Sequence, residues 1–201
     1  MEKQKLKETI KTYDTRTSRY ISNTVSKVTG EHKDYINSFL KLITKDSSIL
    51  EVGSGSGRDA DYIESLGYHV IRTDFATGFI EYQKSLGKNI VKFDVINGTL
   101  KKEFDLIIAR AVFLHFTNKQ FKKALLNTKK HLKPNGYFAM TLKVGKGEEF
   151  SSHKMGSPRY FNYWEEDELL PIFKETKFEV TNSYLAMDGK WLHLVLRSIQ
   201  N

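Results

Sequence analysis

The sequence predicts an α/β fold: a doubly wound, mostly parallel sheet with helices on both faces, ending in an antiparallel C-terminal hairpin. Three observations predict it. From residue 48 onward short apolar runs alternate with stretches of helical period, a glycine-rich loop follows the first run, and Asp188-Gly189 joins the last two. Strands alternating with helices at this spacing build parallel sheets, because each crossover returns the chain to the same end. Asp-Gly between two strand-like runs is a strong hairpin signal, and it reverses the final strand.

Taken in order, residues 1–46 read as an N-terminal helical lid or cap, and 47–201 as the core of a single compact domain. Leu6 and Ile10 share one helical face. Residues 20–28 form a second piece, and Tyr35, Ile36, Phe39, Leu40 and Ile43 a third, with Gly30 between them. Residues 48–52 (SILEV) are a buried strand entering the glycine loop, and 59–66 a helix stopped by Gly67. Residues 68–73 are a second strand ending at Asp74, 77–86 a helix closed by Gly87, and 89–93 a third strand ending at Asp94. Residues 104–109 (FDLIIA) are a strongly apolar fourth strand. A lysine-rich helix follows and stops at Lys133-Pro134-Asn135-Gly136, since proline and glycine both end helices. Residues 137–143 are the fifth strand, and 178–186 and 190–197 form the hairpin.

Composition narrows the function classes. With 201 residues, 39% hydrophobic and 12% aromatic, the chain can bury one real core, which excludes a wholly disordered protein. The absence of cysteine excludes disulfide scaffolds, thiol catalysis and Cys-ligated metal. The longest apolar stretch, 106–116, is broken by Arg110 and His115 and is far short of a membrane span. The N-terminus has no apolar signal region, so a cytoplasmic location is expected. The formal charge of +8 invites a nucleic-acid partner, but it comes from twenty-five lysines against seven arginines. Arginine is the residue suited to bidentate phosphate and guanine contacts. Part of the excess lies on 119–133, with six lysines and no acid. Its apolar positions fit a packed helix with a solvated lysine face, and its charge fits an RNA- or anionic-membrane-facing patch.

The loop Glu51-Val52-Gly53-Ser54-Gly55-Ser56-Gly57-Arg58 lets main-chain amides approach a ligand and lets the backbone take positive φ. A dinucleotide fingerprint would need glycine at 58, where Arg58 stands, and a phosphate-binding P-loop would need Gly-Lys-Ser/Thr. What remains, acid-x-Gly-x-Gly-x-Gly, resembles the class I S-adenosylmethionine-dependent methyltransferases. The resemblance spans about residues 47–200 and implies a Rossmann-like, seven-stranded sheet with its elements in family order.

It also implies roles. Glu51, Gly53, Gly55, Gly57 and Arg58 form the cofactor loop. Asp74, seventeen residues past Gly57, accepts from two vicinal ribose hydroxyls. Asp94, with the Val95 amide nearby, meets the adenine amino group, while Phe75, Ala109 and Arg110 line the ribose and adenine pocket. Asp74 as a helix cap, Asp94 as a turn residue, and the others as plain core or loop residues are the alternatives. Leu132–Tyr137 is similar to the family's helix stop before strand five. Tyr13 and Tyr20 resemble the opening tyrosines of small-molecule members, where that segment covers the cofactor; two tyrosines seven apart are as readily packing residues.

The implied reaction is displacement at the methyl carbon of S-adenosyl-L-methionine, leaving S-adenosyl-L-homocysteine, with the protein supplying position and desolvation. His115, just past the fourth strand near the ligand-binding ends of the strands, is the candidate base, or else a histidine packed among Phe113, Leu114 and Phe116. The loop from Lys143 to Glu149 is expected to be flexible, and Arg159, Tyr160, Phe161, Tyr163 and Trp164 follow it. In small-molecule relatives this region walls the acceptor pocket, so Lys143, Arg159 and Tyr160 are candidate acceptor contacts: Arg159 with Lys143 for an acidic acceptor, Tyr160 with Trp164 for a flat one. Ala109-Arg110-Ala111-Val112 is not the Asn/Asp-Pro-Pro-Tyr/Phe signature of many DNA and protein enzymes, and no carboxylate triad for a metal stands out. A small-molecule O, N or C acceptor is therefore expected. RNA or protein methylation, or a non-catalytic cofactor-binding module, is the alternative. A monomer or homodimer without a membrane span is expected.

Overall fold

The computed structural model describes residues 2–200. Seven strands form one sheet: β1 (Ile49–Val52), β2 (Val70–Asp74), β3 (Ile90–Lys92), β4 (Phe104–Arg110), β5 (Leu132–Lys143), β8 (Phe178–Ala186) and β9 (Trp191–Ser198). They lie in the order β3-β2-β1-β4-β5-β9-β8. β1 to β5 pair in parallel, while β9 runs antiparallel to both β5 and β8, as the Asp-Gly turn predicts. The remaining strands, β6 (Glu148–Ser151) and β7 (Arg159–Asn162), form a separate antiparallel hairpin. The expectation of a flexible loop from Lys143 to Glu149 is corrected there, because residues 148–151 are the first arm of that hairpin.

The helices are α1 (Glu2–Thr15), α2 (Thr17–Ser22), α3 (Gly30–Leu40), α4 (Arg58–Ser65), α5 (Thr77–Ser85), α6 (Asn118–Lys130) and α7 (Glu166–Glu175). Successive residues of β4 face opposite sides of the sheet. Leu106 and Ile108 join a cluster with Tyr35, Ile36, Phe39, Ala60 and Ile63 of α3 and α4. Ile107 and Ala109 join the larger cluster with Phe121, Leu125, Leu169 and Phe173 of α6 and α7. A strand buried on both faces reads as a continuous apolar run, which is why 104–109 lacks alternation.

The N-terminal helices split into two kinds of contact. α3 belongs to the core: Tyr35 is fully buried, and its hydroxyl lies between the Met140 and Leu194 carbonyls at 2.9 and 2.6 Å. α1 and α2 instead lie across the β6–β7 hairpin. Tyr160 N donates to Thr9 Oγ1 at 2.9 Å, Thr12 Oγ1 to the Pro158 carbonyl at 2.6 Å, and Asn23 Nδ2 to the Lys154 carbonyl at 3.2 Å. α2 ends at Ser22, shorter than the helical run of 20–28.

α6 begins with a capping box, Gln120 N to Thr117 Oγ1 and Thr117 N to Gln120 Oε1, which satisfies two amide donors of the first turn. It buries Phe121, Ala124, Leu125 and Thr128 and leaves Lys119, Lys123 and Lys130 in solvent. The chain then enters β5 by a bulge against β4 between Phe104 and Leu106, with Asn135 at φ +61°. Among the described residues no helix is long and apolar enough to cross a membrane.

Candidate active site

The sheet's order reverses between β1 and β4, so the chains leaving these neighbouring strands turn to opposite faces and open a crevice at their carboxyl ends. The crevice encloses about 740 Å³, its mouth included.

The glycine loop forms one wall. Gly53 sits at φ +68°, and a Cβ there would come within 2.4 Å of Val112 Cγ2, so the approach of this loop to the chain after β4 requires glycine. Gly53 and Gly55 line the crevice. Gly57 does not: it is the left-handed cap of α4, and a Cβ there would meet Arg72 Nη1 at 2.8 Å and Gln83 Oε1 at 3.0 Å. Its place in the cofactor set is corrected to a turn packed on buried side chains.

Asp74 ends β2 and lines the cavity. Its Oδ2 accepts from Gly55 N and its Oδ1 from Ala76 N, both at 2.9 Å. Burial raises its pKa to about 6 against the opposing pull of these amides. Asp74 closes a turn onto Ala76, the residue before α5, rather than capping the helix with its side chain, and each carboxylate oxygen keeps a further lone pair. Phe75, Asp94 and Val95 line the same cavity with Phe93, Ile96 and Phe116. Asp94 also closes its own turn, accepting from Ile96 N and Asn97 Nδ2 at 2.8 Å.

Behind the glycine loop lies a smaller polar recess lined by Tyr20, Thr24, Glu51, Ser54, Arg58, Asp59 and Arg110. Arg110 Nη1 donates to Asp59 Oδ2 at 2.6 Å and also contacts His32, while Arg58 Nε donates to Asp59 Oδ1 at 2.9 Å. These cations hold Asp59 below the ordinary carboxylate range despite its burial. Glu51 goes the other way: burial and the Asp59 charge hold its pKa well above the ordinary range. Two buried atoms in this recess, Glu51 Oε2 and Arg110 Nε, have no hydrogen-bond partner among the described residues. Ala109, next to Arg110, belongs instead to the hydrophobic core, so its place as a pocket wall is corrected. Strand parity is the reason, because neighbouring side chains leave β4 on opposite faces.

Tyr13, Tyr20 and Phe79 pack edge-on or tilted at ring distances of 5.1–5.7 Å and cover the cavity. His115 sits beneath them in a 3₁₀ turn after β4, 6% exposed. The Tyr160 carbonyl, 2.6 Å away, takes the proton of His115 Nδ1, so Nε2 accepts from the Tyr13 hydroxyl at 2.8 Å. Burial lowers the pKa of His115 to about 3. A proton on this ring at pH 7 would cost about 5 kcal/mol, so His115 rests neutral with both nitrogens engaged.

Of the acceptor candidates, Arg159 lies behind Tyr13, its Nη1 donating to Tyr13 Oη at 3.2 Å. Lys143 Nζ lies 4.5 Å over the Phe161 ring. The Tyr160 ring turns the opposite way along β7 from Arg159 and Phe161, its hydroxyl donating to Glu148 Oε2 at 2.6 Å. Its place as a pocket ring is corrected, and its carbonyl is what reaches the site.

Sequence reasoning missed Asp59, Thr9, Phe79 and Ala111. Ala111 lines both the cavity and the recess at φ +55°, an unusual conformation for a residue with a Cβ. The one available signal was Asp59 directly after the loop's Arg58.

Residues 50–140 match a family model described as "Methyltransferase domain". A probable S-adenosyl-L-methionine-dependent methyltransferase TehB of Haemophilus influenzae is 23% identical over 157 residues, covering 75% of this chain and 52% of the relative. A phosphoethanolamine N-methyltransferase of Plasmodium falciparum is 31% identical over 107 residues, 49% of this chain and 40% of the relative. The chain thus spans about half the length of the curated relatives it matches. Among solved structures, the glycopeptide N-methyltransferase MtfA complexed with S-adenosyl-L-methionine superposes with a TM-score of 0.67 at 15% identity, over 82% of this chain and 92% of that one. A 1,6-didemethyltoxoflavin-N1-methyltransferase of Burkholderia thailandensis gives 0.67 at 17% identity, over 84% and 78%. These structures share the fold described above.

Proposed function

The chain belongs to the class I S-adenosylmethionine-dependent methyltransferase family, whose cofactor is S-adenosyl-L-methionine, and from that premise we propose that it methylates an oxygen, nitrogen or carbon atom of a small molecule. The observation that carries the reading is the pair of unpartnered buried atoms, Glu51 Oε2 and Arg110 Nε, in a recess beside a cavity that also presents Asp74. Buried polar atoms are normally hydrogen-bonded, so an acceptor and a donor left open together fit a ligand carrying both an ammonium and a carboxylate. The cofactor's methionine end carries both, and the residues present fit it.

In this reading Glu51 holds the ammonium, and Arg110 with Arg58 holds the carboxylate. Asp74 takes the ribose hydroxyls on its remaining lone pairs. Asp94 and the Val95 amide serve the adenine edge, against the apolar surfaces of Phe75, Phe93 and Ile96. When bound, the cofactor supplies a methyl group made electrophilic by its sulfonium. Tyr13 and Tyr20 exclude water from that end, which favours charge-neutralising transfer. We assign His115 to positioning: its neutral Nε2 fixes the Tyr13 hydroxyl, and at a pKa of about 3 it does not store a proton at neutral pH. The division into a cover of α1 and α2 and a core from about residue 47 is part of the same proposal, with α3 on the core side.

The test is incubation with methyl-labelled S-adenosylmethionine and a cell extract separated into metabolites, RNA and protein. Label in the metabolite fraction, lost in Asp74→Ala, is the expected result. Label confined to RNA or protein, or absent from every fraction, overturns it.

A further inference from the structure

Among the described residues a buried arginine without an ion pair lies behind Tyr13. Arg159 on β7 is 6% exposed, and its Nε is buried without a partner. Among the described residues its guanidinium hydrogen-bonds through Nη1 to Tyr13 Oη and forms no ion pair. Two aromatic rings flank it, Phe161 at 4.9 Å and Tyr13 at 5.6 Å. Two lysines that form no ion pair among the described residues stand near it, Lys154 with Nζ 4.5 Å over the Tyr20 ring and Lys143 over Phe161. Burial and the charge of Arg159 lower the pKa of both. Glu149 is the acid that offsets Lys143, and it also accepts from the Tyr163 hydroxyl.

A buried cation without a counter-ion is costly and is retained where a ligand supplies the opposite charge. The geometry narrows that ligand. With Nη1 committed to Tyr13, the open side of the guanidinium is the edge carrying Nε and Nη2, whose parallel N–H bonds match the two oxygens of a carboxylate. Tyr13 Oη touches Arg159 on one side and His115 on the other, and Tyr13 and His115 both line the cavity. The cofactor's own carboxylate has Arg58 and Arg110 in the other recess, which leaves Arg159 for a second molecule.

We propose that the methyl acceptor carries a carboxylate seated on the Nε–Nη2 edge of Arg159, with Lys154 and Lys143 flanking it. This rests on the methyl-transfer reading above. α1 and the residue after it are tied to the chain just before β7 by Thr12 Oγ1 to the Pro158 carbonyl and Arg16 Nε to Ser157 Oγ at 3.2 Å, so the N-terminal cover and the strand carrying Arg159 are held together.

The experiment is a calorimetric titration of benzoate and acetate, with benzamide and acetamide as neutral counterparts, into protein saturated with S-adenosylhomocysteine. At least one carboxylate binds about tenfold more tightly than its amide, and Arg159→Gln removes that preference. Lys154→Gln weakens carboxylate binding about threefold and keeps the test open if Arg159→Gln does not fold. Both variants bind S-adenosylhomocysteine within about twofold of the wild type. Carboxylates binding no better than their amides, in the wild type, overturn the proposal. So does a parallel loss of S-adenosylhomocysteine affinity in Arg159→Gln, which would assign the cation to the cofactor. Wild-type protein that binds no S-adenosylhomocysteine overturns the methyl-transfer reading itself, a result separate from the other two.

Discussion

The two walls of the crevice are built by different physics. On the sheet side, the glycine loop, Asp74 and Asp94 are held by short-range backbone geometry: Asp74 binds amides within 19 residues of itself, and Asp94 closes its own turn. On the cover side, almost every tie joins residues more than a hundred positions apart: Tyr13 to His115, Thr9 to Tyr160, Thr12 to Pro158, Asn23 to Lys154 and Lys5 to Glu148. The first wall is part of a strand-and-turn framework. The second is two helices resting on a hairpin, with few buried side chains of their own: α1 buries only Thr9 and Thr12, and α2 buries none. Low burial and exposed hydrogen bonds mark the segments that open first.

The sharpest way to break this contrast is to damage the sheet side. Asp74→Ala removes a carboxylate assigned to two ribose hydroxyls, and Gly53→Val drives a Cβ into Val112. Charged hydrogen bonds contribute about 1.5–3 kcal/mol each, so with two of them lost S-adenosylhomocysteine affinity falls by at least about 100-fold in Asp74→Ala, measured by calorimetry. Gly53→Val abolishes binding and lowers the melting temperature as well.

A smaller effect comes from pH. Asp74 has its pKa raised to about 6, and in the proposed role its ionised form accepts the hydroxyl protons. Affinity for S-adenosylhomocysteine is therefore constant above pH 7 and drops as pH falls through 6, by up to tenfold per unit. Asp74→Asn flattens this profile. An unchanged profile in that variant would remove Asp74 from the site.

On the cover side, Tyr13→Phe strips the hydroxyl that joins Arg159 to His115 and leaves both buried partners open. A cost of about 1–3 kcal/mol in stability is expected, with methyl transfer slowed about tenfold while cofactor affinity changes little. Equal losses in affinity and rate would mean that Tyr13 serves the cofactor alone.

The buried Glu51 gives the next effect. Its pKa is raised, so its favourable contribution to stability is complete below the ordinary glutamate value and is lost as pH rises through the raised folded value. Glu51→Gln removes that loss, so the variant melts about 2–4 °C above the wild type at pH 9 and level with it near pH 5. A variant that melts lower at pH 9 would mean that a partner holds Glu51 ionised.

The same contrast explains what could be read from the sequence. The order of strands, the reversed last strand and the loop-to-Asp74 spacing follow from periodicity and turn chemistry, which are local. Three of the assigned residues went astray for one reason each time. Tyr160 is one position from Arg159 in β7, and Ala109 one position from Arg110 in β4, so strand parity decides which faces the site. The expectation of a loop at 143–149 hid the nearby hairpin, and with it the parity of β7. Gly57 has the composition of the loop but packs on Arg72 and Gln83, which depends on tertiary neighbours. His115, read as a candidate base from its position after the fourth strand, does line the cavity. Its low basicity is a matter of burial, which a sequence does not state.

The central claim is that this crevice holds the adenosyl cofactor with its sugar on Asp74. A crystal structure of the protein grown with S-adenosylhomocysteine measures that directly. The ribose hydroxyls are expected within about 3 Å of the Asp74 oxygens, with the amino acid end in the recess of Glu51 and Arg110. The ligand lying elsewhere, or its sugar turned away from Asp74, would contradict the account.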